Sequence, residues 1–549
     1  MMKKIFCLFV LYLIPVQLTF AGPKQKAMSV AMFENITNNK EYDWIGTGFA
    51  ETITSKIINI KSITVVERTK LFDILKEQKL QLSGLVDNNT AVKVGNLLAA
   101  QFVVVGSFQI LGENLNVAAR IVNVATAQIE KSATVEGKLE DIFGLQEKLI
   151  FEIANAIEAP VLDEEKAEIS KPPAKNILAY EWFSKGKMYQ YEKYKWNEAI
   201  SCYKKAIKVD KNYADSFFEL GNVLEIKNLH KEAFESYRDA MVLYEIKDDK
   251  LNIWRIYQNI GVIYHAQGNY NRALEYYNKA LEISSKLKNQ QGVNQVFNNI
   301  GLIYFSKSDY KKALEYYNKA LEKNKNIGNN RDIASNYNNI GSVYDSMGNY
   351  DKAFEYAYEA FAISEKNNDQ LKIAESYNLF GNIYYSKGNN KSALEYFKKA
   401  LEINEKLDIK PKINDNYINI GAVNYSMLNY DEAIKNYEEA LKIAEQLGNE
   451  LNTARIYNNI GLVYFSNSKY DEALEYYNKS LDIKHELKDE VGEGTVMYNI
   501  ALIYEGKRDF RKAIKYMENA VKIFENKKYY MLDKSNKRLE EFRKIYDKK

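Results

Sequence analysis

The chain has 549 residues, 46% of them hydrophobic and 13% aromatic, so it carries material for more than one core and lacks the composition of a disordered polymer. Its 76 lysines and arginines stand against 73 aspartates and glutamates, which leaves no global electrostatic footprint for a nucleic-acid partner. The cysteines are two, Cys7 and Cys202.

The first residues read as an export signal. Lys3 and Lys4 form a basic start, residues 5–16 an apolar stretch, and Thr19-Phe20-Ala21 a small-x-small cleavage site, so residues 1–21 are expected to leave after Ala21. The alternative, an uncleaved anchor helix, is disfavoured because residues 5–21 are short for a span of about 20 residues and include Pro15 and Gln17. Cys7 would leave with the signal and is a poor lipid-attachment site, since Lys4, Ile5 and Phe6 precede it. Cys202 then stands alone and no internal disulfide forms. No later segment is apolar enough to span a bilayer, so a soluble or peripheral protein of the periplasm or cell envelope is expected.

Residues 27–159 alternate strand and helix patterns. Strands are predicted at 28–33, 63–66, 102–108, 115–124 and 128–135, and helices at 48–59, around Leu71 to Leu80, near 90–98 and from about 139 to 157. Gly46 and Gly48 precede a predicted helix but lack the Lys-Ser/Thr of a phosphate loop, so they read as a helix-start turn. Pro160, the charges of 163–166 and Pro172-Pro173 predict a linker over 160–176, extended and outside either core.

From Ile177 a different order begins. Gly261, Gly301, Gly341, Gly381, Gly421 and Gly461, then Ala501, recur every 40 residues, each followed twelve residues later by an alanine from Ala273 to Ala513. With the less regular Gly186 and Gly221 units this makes nine repeats over 177–525, and a charged helical tail, 526–549, caps the last one. In one unit Tyr257, Ile260, Gly261 and Tyr264 share a helical face. After Gly268, a helix terminator, Ala273, Tyr277, Ala280 and Leu281 share the face of a second helix. The fold class predicted is an α+β N-terminal domain followed by an all-α solenoid of helical hairpins.

These spacings, with the aromatic three residues after the glycine and the Tyr277 and Ala280 pair, resemble the tetratricopeptide repeat. The 40-residue period resembles the kinesin light chain type, read as longer helices and a longer inter-repeat turn; Pro411 falls at the start of a first helix, where a missing N–H costs little. The resemblance implies that the first helix of each unit, helix A, lines the inner wall of a superhelical groove. The wheel then places Arg255, Asn259, Val262 and Ala266 opposite the core face. Asn259 recurs as Asn299, Asn339, Asn419, Asn459 and Asn499, with Leu379 as the missing rung. An amide both donates and accepts, so such a ladder pairs with the main chain of an extended peptide whatever its side chains; it is similar to the ladder of the O-GlcNAc transferase family. The competing reading is that these asparagines bond neighbouring helices. The Arg255 position varies to Arg455 through Gln295, Ser335, Glu375 and Asp415, the pattern of a selectivity surface or of a solvated face. Ser306, Ser346, Ser386, Ser426 and Ser466 near the ends of helix A read as caps, and the tyrosines at Tyr264, Tyr304, Tyr344, Tyr384, Tyr464 and Tyr504 as packing.

Residues 65–108, with Val66-Glu67-Arg68, Glu77-Gln78, Ser83-Gly84, Gly95 and the strand to Gly106, resemble the periplasmic domain of the curli secretion-channel (CsgG-like) family; 28–35 with Gly46 and Gly48 is similar to TolB-like amino-terminal domains. That resemblance implies outer-membrane rings, but no extra pair of membrane-inserting segments is visible. His230, His265 and His485 fall in different repeats and no metal or catalytic motif is present, so neither enzyme activity nor a cofactor is expected. The reading is an exported, non-enzymatic scaffold that binds a protein or peptide partner, with peripheral outer-membrane association or self-assembly through the first domain left open. The alternative is an oligomeric secretion or assembly component related to the curli channel.

Overall fold

The computed structural model describes residues 26–37, 39–65, 100–126, 128–192, 195–527, 529 and 531–547. The expected signal and the helices predicted around 71–80 and 90–98 lie outside the described residues.

The first domain holds a five-stranded mixed sheet in the order β2-β1-β3-β4-β5. Strand β1 (Lys26–Asn35) runs parallel to β2 (Ile63–Val65) and to β3 (Phe102–Leu111). The meander then turns antiparallel through β4 (Asn114–Asn123) and β5 (Ile129–Lys138). The run Phe102 to Phe108 is central, which is why it is apolar on both faces. Helix α1 (Asp43–Ile57) packs on β1 and α2 (Ile142–Ala156) on β5, and the two helices touch each other. Gly46 and Gly48 are not a helix-start turn: both lie inside α1. A Cβ on Gly46 would fall 1.9 Å from the carbonyl oxygen of Phe33, so this glycine lets α1 press against β1.

The segment 160–176 is not extended, nor outside the cores. It forms a helix, α3 (Asp163–Ile169), and Ile169 and Ala174 are buried. Glu165 holds it in place: one carboxylate oxygen accepts from the backbone N–H of Lys61 at 3.0 Å, the other from that of Leu162 at 2.8 Å. The first solenoid helix, Ile177–Tyr191, then packs on α1. Its buried Tyr180 lies edge-on to Trp44 and Phe143. The Tyr180 hydroxyl meets Thr52 Oγ1 at 2.7 Å and accepts from Gln146 Nε2 at 2.7 Å. A Cβ on Gly48 would lie 2.8 Å from that hydroxyl, so the second glycine admits the solenoid. Apolar contact continues unbroken from the sheet into the first repeats.

The solenoid is nine antiparallel helix pairs from Ile177 to Lys527. In the regular part each pair joins helices of 17 or 18 residues, such as Lys250–Ala266 (helix A) and Tyr270–Lys286 (helix B), through turns of two or three residues. The 40-residue period therefore arises from long helices, with both turns short. Each turn between helix A and helix B of the regular part has one residue in the left-handed region: glycine at Gly268, Gly348 and Gly388, but Ser308, Leu428, Ser468 and Arg508 elsewhere. The next residue caps helix B at Asn269, Asp309, Asn349, Asn389 and Asp509, as Asn269 does by accepting from the N–H of Arg272, whereas Asn429 and Lys469 make no side-chain cap bond.

Ile256, Ile260 and Ile263 pack against Ala233, Tyr237 and Ala240 of the preceding helix B, as Ala273, Tyr277 and Ala280 pack against Val296, Ile300 and Ile303 of the next helix A, while Tyr257 and Tyr264, expected in the core, are half-buried and pack on Tyr276 at its edge. A Cβ on Gly261 would lie 2.6 Å from the Tyr277 ring, and the clash recurs at Gly301 with Tyr317 and at Gly461 with Tyr477. The exception explains the rule. Ala501 replaces the glycine in the last repeat, where Met517 replaces the ring. Beyond it, the helix Leu532–Tyr546 lays Leu539 and Phe542 over the final hairpin and covers its apolar face.

Candidate functional site

Successive A helices approach one another more closely than successive B helices do, so the A helices form the inner wall. On that wall Val262 and Ala266 are exposed, and all six ladder asparagines are half-buried between adjacent A helices. They divide into two sets. Asn259 Nδ2 donates to Asn222 Oδ1 at 2.8 Å and to the Tyr237 hydroxyl at 3.2 Å, Asn299 Nδ2 to Gln258 Oε1 at 3.2 Å, and Asn499 Nδ2 to Asn458 Oδ1 at 3.0 Å. Asn339, Asn419 and Asn459 make no side-chain hydrogen bond to any described residue. Three rungs thus tie one repeat to the previous one, and three keep a donor pair and an acceptor for something else.

Leu379 breaks the ladder for a packing reason. In this repeat pair Ala357 occupies the place of the core ring, and Leu379, 4% exposed, fills the gap: a Cβ on Gly341 would lie 2.9 Å from Leu379 Cδ2.

Charge on the wall is uneven. Arg255 donates to Asn252 Oδ1 at 3.1 Å, whereas Arg455 is exposed. Between them Glu375 lies 2.7 Å from Lys372 and 3.8 Å from Lys412. Burial works against the Glu375 charge, yet these lysines outweigh it and hold the carboxyl below its ordinary value. Asp415 goes the other way: although the residue reaches solvent, the groups around it strip enough hydration to raise its carboxyl against the pull of Lys412 and Arg455.

The serines at the ends of helix A do not act as caps. Ser306 Oγ meets His265 Nε2 at 2.9 Å, Ser466 Oγ meets the Tyr425 hydroxyl at 2.8 Å, and Ser386 Oγ donates to Asp345 Oδ2 at 3.3 Å. With Ser426, whose Oγ accepts from Asn390 Nδ2 at 3.1 Å, four of the five serines tie a repeat to the one before it.

Sequence reasoning missed a second, deeper set of asparagines. Asn294 donates to Asn324 at 2.8 Å, Asn324 to Asn336 at 2.8 Å, and Asn336 to Asn298 at 2.6 Å. Two repeats later Asn404 donates to Asn416 and Asn416 to Asn378, each at 2.7 Å. The signal was present: Asn336 and Asn416 stand in a column that is otherwise Ile256, Val296, Ser376, Ile456 and Val496, and each has an asparagine twelve residues earlier. A buried amide needs a partner, so the two substitutions occur together.

Among the described residues no cluster of ligating side chains could hold a metal ion, and no helix is long and apolar enough to cross a membrane. The fold and its inner wall define a class: a helical-hairpin solenoid that presents a groove, joined to a small α+β domain. The chain belongs to the tetratricopeptide repeat family, whose repeat models match 189–226 and, in overlapping pairs, 212–406 and 413–526. Residues 16–116 match the family described as curli production assembly/transport component CsgG. Among solved structures the chain is similar to RapI in its apo form, at 20% identity and TM-score 0.41, covering 49% of this chain and 98% of that one. It is also similar to BtubC (BKLC) from P. vanneervenii, at 21% identity and TM-score 0.33, covering 40% and 91%. A third is aspartyl phosphate phosphatase F from Bacillus subtilis, at 15% identity and TM-score 0.40, covering 63% and 93%. No curated protein matches the chain. The repeats make it a protein–protein interaction scaffold, and the CsgG domain points to an envelope system.

Proposed function

We propose that this scaffold works in the bacterial cell envelope, where its inner wall holds an extended segment of a partner protein by the main chain. The observation that carries the reading is the set of amides at Asn339, Asn419 and Asn459, half-buried on the wall and bonded to no described residue. Half-burial strips part of their hydration, so a main-chain N–H and C=O brought alongside gains more than it would from an exposed amide. Arg255, Arg455 and the Glu375 and Asp415 carboxylates vary along the same wall and would choose among segments by charge.

The test uses a peptide selected from a display library against the full chain. N339A/N419A/N459A is expected to weaken its binding at least tenfold, at about 0.5–1.5 kcal/mol per hydrogen bond, with no loss of melting temperature. N259A/N299A/N499A, which removes the rungs already bonded between repeats, lowers the melting temperature instead. Equal affinity for the wild type and the first variant would sink the groove assignment.

A further inference from the structure

Six of the seven regular repeats carry a pair of tyrosines at the outer junction of helix B, the next helix A and its own helix B. Tyr264 stacks on Tyr276 with centroids 5.5 Å apart, and Tyr304–Tyr316, Tyr344–Tyr356, Tyr384–Tyr396, Tyr464–Tyr476 and Tyr504–Tyr516 repeat the arrangement. Cations flank these rings from two positions. Arg272, Lys312, Lys352 and Lys512 lie over the first ring at 5.0–5.4 Å, and Lys279, Lys319, Lys399 and Lys479 over the second at 4.7–4.9 Å.

The repeat over 410–447 lacks the whole cluster. Asn424 and Asn436 replace both rings, and Glu432 and Glu439 replace both cations. In place of the stacked pair there is a cavity of about 490 Å³, walled by Leu394, Leu401, Tyr417 and Ile420 and floored by Asn424 and Asn436. Asn424 is 7% exposed; its Nδ2 donates to the carbonyl of Ile420 at 3.1 Å, and its Oδ1 accepts from no described residue. Asn436 likewise turns its Nδ2 onto the carbonyl of Glu432 at 2.6 Å. Lys398, exposed at the rim, is the one cation among the lining residues. The Tyr417 hydroxyl donates to Glu405 Oε1 at 3.1 Å, and burial, then the Glu405 and Glu439 carboxylates, push it up to about 12.

We propose that this outer cavity receives an aromatic side chain flanked by a basic residue, supplied by a partner protein. The other six repeats show what fits the space: planar rings with a cation beside them. Here the rings and the cations have both been exchanged for groups that complement them. The apolar walls would take the ring faces, Asn424 Oδ1 a phenol or indole donor, and Glu432 at the lining the neighbouring lysine or arginine, with Glu439 beside it exchanging its 2.7 Å pair with Lys442 for the incoming cation. The cavity lies on the face opposite the asparagine ladder, so this assignment stands apart from the groove.

The probe is a labelled acetyl-Gly-Lys-Tyr-Lys-Gly-amide peptide, titrated by fluorescence anisotropy against the full chain. Saturable binding is expected for the wild type, weakened at least tenfold by E432K/E439K, two side chains that reach solvent, and by N424Y/N436Y, which rebuilds the stacked pair. N339A/N419A/N459A leaves it unchanged. The assignment is overturned if the wild type does not bind, if an alanine-for-tyrosine peptide binds as well, or if N339A/N419A/N459A abolishes binding. It is also overturned if free tyramine binds as tightly as the peptide, which would make this a small-molecule site.

Discussion

Leu379→Asn, which completes the asparagine ladder by the repeat's own rule, is expected to destabilise the protein by about 3–5 kcal/mol. The leucine is packed among Ala353, Ala357 and Ile383, and its methyl closes the space that Tyr317 or Tyr277 fills in neighbouring repeats. Removing a buried leucine costs about 2–5 kcal/mol, and the incoming amide adds the cost of a polar group with no ring hydroxyl to meet. Ala357→Tyr alone is also destabilising, since the ring would occupy the volume of Leu379. The double variant A357Y/L379N recreates the pairing of Tyr237 with Asn259, where hydroxyl and amide meet at 3.2 Å, and should recover most of the loss. A coupling of about 2 kcal/mol or more in the double-mutant cycle is the expected readout. Because repeat arrays open locally, hydrogen exchange over residues 350–386 is the measurement to pair with thermal melts. Additive losses in the cycle would contradict the packing account.

Lys187→Met is expected to cost about 3–5 kcal/mol and to loosen the junction between the first domain and the solenoid. Lys187, its side chain 8% exposed, lies 3.4 Å from Glu51 of α1 and 3.0 Å from Glu219 of the second repeat. Burial opposes its charge, but Glu219 and Glu51 outweigh this and hold the ammonium pKa well above the ordinary lysine value. Tyr191 donates to Glu51 at 2.7 Å and completes the cluster. Removing the lysine leaves two mostly buried carboxylates without their cation, the situation in which a broken buried pair is most costly. A raised folded-state pKa means that the contribution is fully present below the unfolded lysine's value of about 10.4 and is lost only as pH climbs through the folded value. The junction should therefore hold through neutral pH. K187M/E51Q/E219Q, which removes the stranded charges, should recover most of the stability. A K187M protein with unchanged melting and unchanged exchange protection in α1 would refute the role given to this cluster.

The period, the glycine and alanine registers and the hairpin architecture are legible in the sequence because each unit repeats the same local choices. What is not legible depends on contacts between units. Glu51, Lys187 and Glu219 are far apart along the chain, so no spacing rule joins them. Prolines and charge predict an extended linker, yet Glu165 accepts from the N–H groups of Lys61 and Leu162 and turns that charge into a cap and an anchor. The wheel placed Asn259 opposite the core, but it could not show that the neighbouring helix half-buries this column and bonds half of its members. Likewise Leu379 looked like a missing rung until Ala357, in the preceding hairpin, supplied the reason.

An inner wall that grips the main chain of its partner, and not its side chains, has a signature of its own in binding. The most direct test is to titrate the full chain with two derivatives of one selected peptide. In the first, alternate backbone nitrogens are methylated; in the second, the side chains at the same positions become alanine. Main-chain capture predicts that methylation, which removes the N–H donors, abolishes measurable binding, while the alanine series loses less than about tenfold, or about 1.4 kcal/mol. The opposite ranking, with methylation tolerated and alanine not, would contradict the account.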